Sequence, residues 1–140
     1  MQTTWQFWAL LSAGFAGLTA ILAKLGVQTI DSDLATLLRT IVILAVLVLF
    51  VAVKGGWDTL AEVTPRASVF LVLSGLATGA SWLCYFRALK LGDASRVAPI
   101  DKLSVVFVAL LGVTLLGEHL SVTHWAGIGL ITAGAMLLAF

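Results

Sequence analysis

The sequence predicts an all-α, polytopic membrane protein with five transmembrane helices. Of its 140 residues, 61% are hydrophobic and only 11% charged, and the mean hydropathy is +1.11. A soluble domain carries about 25% charged residues. The charges fall between runs of roughly 20 apolar residues, the length that crosses a hydrocarbon core at about 1.5 Å per residue. These runs are about twice as long as a barrel strand and lack its apolar–polar alternation. Backbone groups in hydrocarbon must be satisfied within a helix or a closed barrel, so helices remain.

The first span is expected over about 5–23, closed by Lys24. The stretch from Met1 to Ala23 carries no charge and is longer than a cleaved signal's apolar segment, so it reads as a retained span. Its rows Ala9, Ala13, Gly17 and Ser12, Ala16, Ala20 permit close helix approach, and Trp5 and Trp8 suit an interface. Asp31, Ser32 or Asp33 can cap the second span, about 34–53, which Gly55 and Gly56 end. The segment Trp57–Val63 suits a short interfacial helix, with Asp58 and Glu62 on a solvated face. Thr64-Pro65 opens the third span, about 67–86, which has no charge. The fourth is expected over 97–117 with Pro99 in its first turn, and the fifth over 122–140, capped by Ser121 or Thr123. Together they form a single domain over 1–140.

Several function classes fall away. The eight Lys and Arg are dispersed rather than gathered into a basic stripe, so no nucleic-acid partner is implied. A single cysteine, Cys84, supplies neither a disulfide framework nor a metal site, and His119 and His124 lack metal-ligand spacing for one helix face. No nucleophile triad, phosphate loop, dinucleotide fingerprint or heme motif is present, so neither catalysis nor a cofactor is expected.

The chemistry-bearing residues gather between Ser74 and Leu103. Ser74, Thr78, Ser81 and Tyr85 share one helix face, which suits either the lining of a solute path or bonding to the helix's own carbonyls. Beside it lie Gly75, Gly79, Trp82 and Phe86, with Gly75 and Gly79 in GxxxG spacing for helix packing, a role Gly17 and Gly129 can share. Trp82 and Tyr85 suit stacking on a flat solute or packing in the core.

Of the ionisable residues within or at the ends of spans, Arg39, Asp101, Lys102 and Glu118 are the functional candidates. Arg39 either snorkels to the head groups or faces the interior and attracts an anion. Asp101 either titrates within the membrane, coupling protons to a solute, or caps a wet helix start. Its neighbour Lys102 projects about 100° away and is expected to be a poor direct partner. Glu118, at the end of span four, is expected to pair with His119, His124 or a basic residue, because a carboxylate opposes the dipole there.

With the N-terminus outside, Lys24, Arg39, Arg87, Lys90, Arg96 and Lys102 lie on the cytoplasmic side, against Lys54 and Arg66 opposite. This favours N-out, C-in insertion. If Arg39, Arg87 and Lys102 are discounted as partly buried, three face two and a dual topology stays open. The chain has no internal repeat, and five spans are few to enclose a path. An odd number of spans is the arithmetic of one half of an inverted-repeat transporter. The chain is therefore expected to work as a homodimer or heterodimer with an inverted copy, in the lipid bilayer of the cell (inner) membrane.

From Tyr85 to Leu138 the sequence resembles the EamA-type repeat of the drug/metabolite transporter superfamily, in its short five-span bacterial and archaeal form. The matching features are Tyr-Phe-Arg-Ala-Leu ending span three, Ala-Pro opening span four, Leu-Gly-Glu closing it, and His-Trp-Ala-Gly-Ile leading to Ile131 and Gly134. Arg39 after Leu37-Leu38 and the small residues of span one agree with it. The resemblance implies a secondary transporter or exporter of small organic metabolites, amino-acid-like solutes among them, built as a ten-helix pair of such repeats. The alternative is a non-transporting membrane subunit that packs with or regulates a partner membrane protein.

Overall fold

The computed structural model describes residues 4–140; the first three residues of the expected domain lie outside the described residues. Every regular element described is helical: α1 (Trp5–Val27), α2 (Ser32–Lys54), a 3-10 helix (Gly56–Glu62), α3 (Pro65–Leu91), α4 (Ala94–Asp101), α5 (Ser104–Leu115) and α6 (Val122–Ala139). Among the described residues, five segments are long and apolar enough to cross a membrane, with Ala94–Leu115 counting as one.

The helix ends follow local chemistry. Asp31 caps α2, its carboxylate accepting from the backbone N–H groups of Asp33 and Leu34 at 3.0 and 3.2 Å. Gly55 ends α2 in the left-handed region at φ 71°. The Thr64 hydroxyl accepts from the Ala67 N–H at 3.2 Å, and Pro65 fills the first position of α3, where its missing N–H has no intrahelical partner to lose. Ser121 caps α6 in a capping box with His124. The Ser121 backbone N–H donates to His124 Nδ1 at 3.2 Å, a place usually held by Glu or Gln.

Span four departs from the expected 97–117. The helix starts at Ala94, so Pro99 lies inside α4 rather than in the first turn. Its ring removes the N–H that the Ser95 carbonyl would receive. Two residues further on, the backbone tightens into 3-10 turns, with Lys102 N–H donating to Pro99 O at 3.1 Å and Leu103 N–H to Ile100 O at 2.9 Å. The span therefore divides at Lys102–Leu103, and α5 ends at Leu115, short of the expected boundary.

The helices group into two units. One comprises α1 as far as Leu25 together with Leu91–Phe140. Here α4 and α5 pack on α6, and Ala109, Gly112, Ala135 and Ala139 are buried. The Arg96 guanidinium donates to the Ala139 carbonyl through Nε and Nη2 at 3.1 and 2.6 Å, closing the last turn of α6. Lys24 Nζ donates to the Gly92 carbonyl at 2.8 Å.

The other unit, Gly26–Lys90, holds α2, the 3-10 helix and α3. Ser32, Ala35 and Thr36 form the buried face of α2, while Phe86 and Leu89 are buried on α3. The buried set is largely small, while large apolar side chains such as Leu71 and Phe107 are exposed. That inversion of a soluble core suits a chain whose solvent is hydrocarbon.

At the end of α5, Gly117 turns the chain at φ 69°, and the Glu118 N–H returns to the Gly112 carbonyl at 3.0 Å. Placing a Cβ in this left-handed conformation is expected to destabilise the chain by about 1 kcal/mol in Gly117→Ala. Thermal unfolding in detergent measures it, and an unchanged midpoint would contradict the turn.

Candidate functional site

The buried face of α2 runs Ser32, Ala35, Thr36, and the next position one turn on is Arg39. That is seven residues past the start of α2, about 10 Å along the axis. The Asp33–Arg87 ion pair, at 2.8 Å, sets the register of α2 against α3. Six residues on from Asp33 is Arg39, and six back from Arg87 is Ser81, so Arg39 stands level with Ser81 and Trp82. Its guanidinium lies 4.3 Å from the centroid of Trp82 and 5.4 Å from that of Phe86.

The guanidinium thus meets ring faces of α3, while Arg39 itself is half-buried. A cation–π contact contributes about 0.5–1 kcal/mol at an exposed site and more as it is desolvated, which offsets part of the cost of placing a charge within a span. Tyr85, half-buried, lies within electrostatic reach of the same guanidinium.

The hydroxyl stripe of α3 continues from this point. Ser74, Thr78 and Ser81 are exposed on the chain, and the Thr78 hydroxyl donates to the Ser74 carbonyl at 2.9 Å. That bond uses the Thr78 proton and leaves its oxygen free to accept. A methyl group added at Gly75 or Gly79 would meet nothing within 4 Å, and the same holds at Gly17 and Gly129. These glycines are open surfaces of the chain rather than sites of close approach within it.

The remaining candidates lie in the other unit, and the structure corrects two expectations about them. Asp101 and Lys102 pair, with Lys102 Nζ donating to Asp101 Oδ2 at 3.4 Å. The tightened turn and the long lysine stem overcome their angular offset. Asp101 is the last residue of α4, three positions before α5 begins at Ser104, and Lys102 caps α4 with a favourable cation. Glu118 forms no ion pair with His119 or His124; His124 is engaged by Ser121. Its carboxylate instead covers Gly112, where an added Cβ would fall 2.6 Å from Oε2. Among the described residues no cluster of His, Cys, Asp and Glu could hold a metal.

Sequence reasoning did not find the Asp33–Arg87 pair or the part Phe86 plays. The pair had a signal, opposite charges at adjoining ends of successive spans. Phe86 was visible only as the neighbour of Trp82, one turn on.

The pattern that defines the EamA-like transporter family matches residues 3–140. The chain belongs to the EamA-like transporter family. It is 62% identical over 139 residues, covering 99% of both chains, to a Sinorhizobium protein described as an uncharacterized transporter in the cobO 3′ region. It is 26% identical over 85 residues to a probable 4-amino-4-deoxy-L-arabinose-phosphoundecaprenol flippase subunit, ArnE, of Proteus mirabilis, covering 60% of this chain and 75% of the relative. No solved structure matches. With its five spans, this EamA member is a multi-pass membrane protein of a transporter family.

Asp31, fully exposed at the mouth of α2, offers a pH test of the frame that holds Arg39. The N–H groups of Leu34 and Asp33 hold its carboxyl below the ordinary aspartate value of 3.8. A lowered value means that the charged cap stabilises fully above that ordinary value and is lost as the pH falls through the lowered one. Asp31→Asn keeps an acceptor oxygen but cannot titrate. Its thermal midpoint is therefore expected to fall less than that of the unaltered chain on acidification below pH 3.8. Equal falls would show that the cap does not contribute.

Proposed function

We propose that this chain is a secondary transporter of a small organic metabolite in the cell membrane, working as an inverted pair of five-helix repeats. The observation that carries the reading is the exposed polar stripe of α3, Ser74, Thr78 and Ser81, beside the open faces of Gly75 and Gly79. A hydroxyl on a membrane helix is satisfied by water, by a partner helix or by its own helix's carbonyl, as Thr78 is at Ser74, and glycine faces let a partner helix approach closely. A second repeat laid across this face would convert the stripe into one wall of a solute path, and rocking of the two repeats would alternate its access. An odd number of spans reverses the orientation of a second copy fused in tandem, which supports an inverted pair. The description of the Proteus mirabilis relative as a flippase subunit supports action as part of an assembly.

Thr78→Ala combined with Ser81→Ala is expected to abolish solute flux in reconstituted vesicles while leaving membrane insertion and helix content intact. Unchanged flux across a metabolite panel would place the path elsewhere. Reporter fusions after Phe140 are expected to signal from both sides of the membrane if the chain pairs with an inverted copy of itself. Signal from the cytoplasmic side alone would require a related partner of opposite orientation, and purification of the chain as a monomer that still transports would refute pairing altogether.

A further inference from the structure

Arg39 is a cation inside a membrane-spanning helix with no anion of its own unit against it. Asp33, one of the two nearest carboxylates in sequence, is engaged by Arg87 at 2.8 Å. The other, Asp31, is turned to the backbone N–H groups of Asp33 and Leu34. The flanking hydroxyls of Thr36 and Thr40 donate to the carbonyls of Ser32 and Thr36, at 2.8 and 2.7 Å. What touches the guanidinium is aromatic, the rings of Trp82 and Phe86, with Tyr85 also within electrostatic reach. Ring faces fix the plane of a guanidinium while accepting none of its five N–H donors, so its edge remains available. A planar, oriented, uncompensated fork in a low-dielectric setting matches an oxyanion and repels a cation.

We infer that Arg39, held by Trp82 and Phe86, is the recognition point for the oxyanion of a small organic acid, a carboxylate or phosphate. The inference rests on the transporter reading and names the class of its solute. Trp82 and Phe86 act as positioning residues, orienting the fork toward the level at which Ser81 stands on α3. The hydroxyl stripe would then meet the polar remainder of the acid.

The test uses the full chain purified in a maltoside detergent, which contributes neither carboxylate nor phosphate. Benzoate, glutarate and glycerol 3-phosphate are titrated calorimetrically, with benzylamine as the cationic counterpart and a short-chain phosphatidylglycerol as a lipid source of the same oxyanion. At least one of the three acids is expected to bind saturably. Arg39→Gln should weaken that binding at least tenfold, and Arg39→Lys, which keeps the charge without the planar fork, by less. Benzylamine should show no Arg39-dependent binding.

The inference is overturned if none of the acids binds, if Arg39→Gln binds them as the unaltered chain does, or if phosphatidylglycerol alone depends on Arg39. Should Arg39→Gln lose its helical circular dichroism, Arg39→Lys decides: weakened acid binding supports the site and unchanged binding refutes it. Arg39-dependent acid binding without flux would refute transport and leave the site standing. Flux that Arg39→Gln does not alter would do the reverse.

Discussion

Hydrocarbon offers no hydrogen bonds, and most of this chain's structure follows from that. Each backbone N–H and C=O within the membrane must find its partner inside the same helix, so the regular structure described is helical. The same constraint reverses the usual division between inside and outside. Alanine makes up much of the buried set, while most of the leucine, valine and phenylalanine side chains face outward, Val27, Phe86 and Leu89 being the buried exceptions. Without a hydrophobic drive between helices in lipid, close contact and specific polar links must supply the association.

Those polar links concentrate at helix ends, where carbonyls lack intrahelical donors. Arg96 reaches the Ala139 carbonyl and Lys24 reaches Gly92, while Lys90 reaches the Ile30 carbonyl in the connector ahead of α2 at 2.7 Å. Two of the residues that bias orientation through their charge, Lys24 and Arg96, thus also close helix ends. In such positions a cation satisfies orphan acceptors and meets the negative end of the helix dipole. The exposed Asp33–Arg87 pair adds little energy by comparison, since wet ion pairs contribute about 0–1 kcal/mol, but it records the register of two helices.

Arg39 is the exception to this economy of ends. It lies within a span and meets ring faces rather than an acceptor. A structural arginine would be expected to bond a carbonyl, as Arg96 does. One held by aromatic faces keeps its donors for something else, which is why it, rather than the better-satisfied Asp101–Lys102 pair, is the strongest candidate for solute recognition.

The sequence by itself determined the fold class, the five spans, most of the helix caps and the family, because each is written locally, in apolar length, in turn residues and in an ordered run of short motifs. Even the hydroxyl stripe was legible, since a 3.6-residue period fixes which side chains share a face. The tertiary structure decided what no local rule could. It moved the start of span four to Ala94 and tightened the backbone at Lys102, joining Asp101 to a neighbour that helical geometry holds apart. It turned Glu118 onto Gly112 through the reversal at Gly117. It brought Arg39 over Trp82, some forty positions away in the chain. Periodicity gives the face on which a side chain lies, but the helix it meets depends on register and packing, and those are properties of the folded chain.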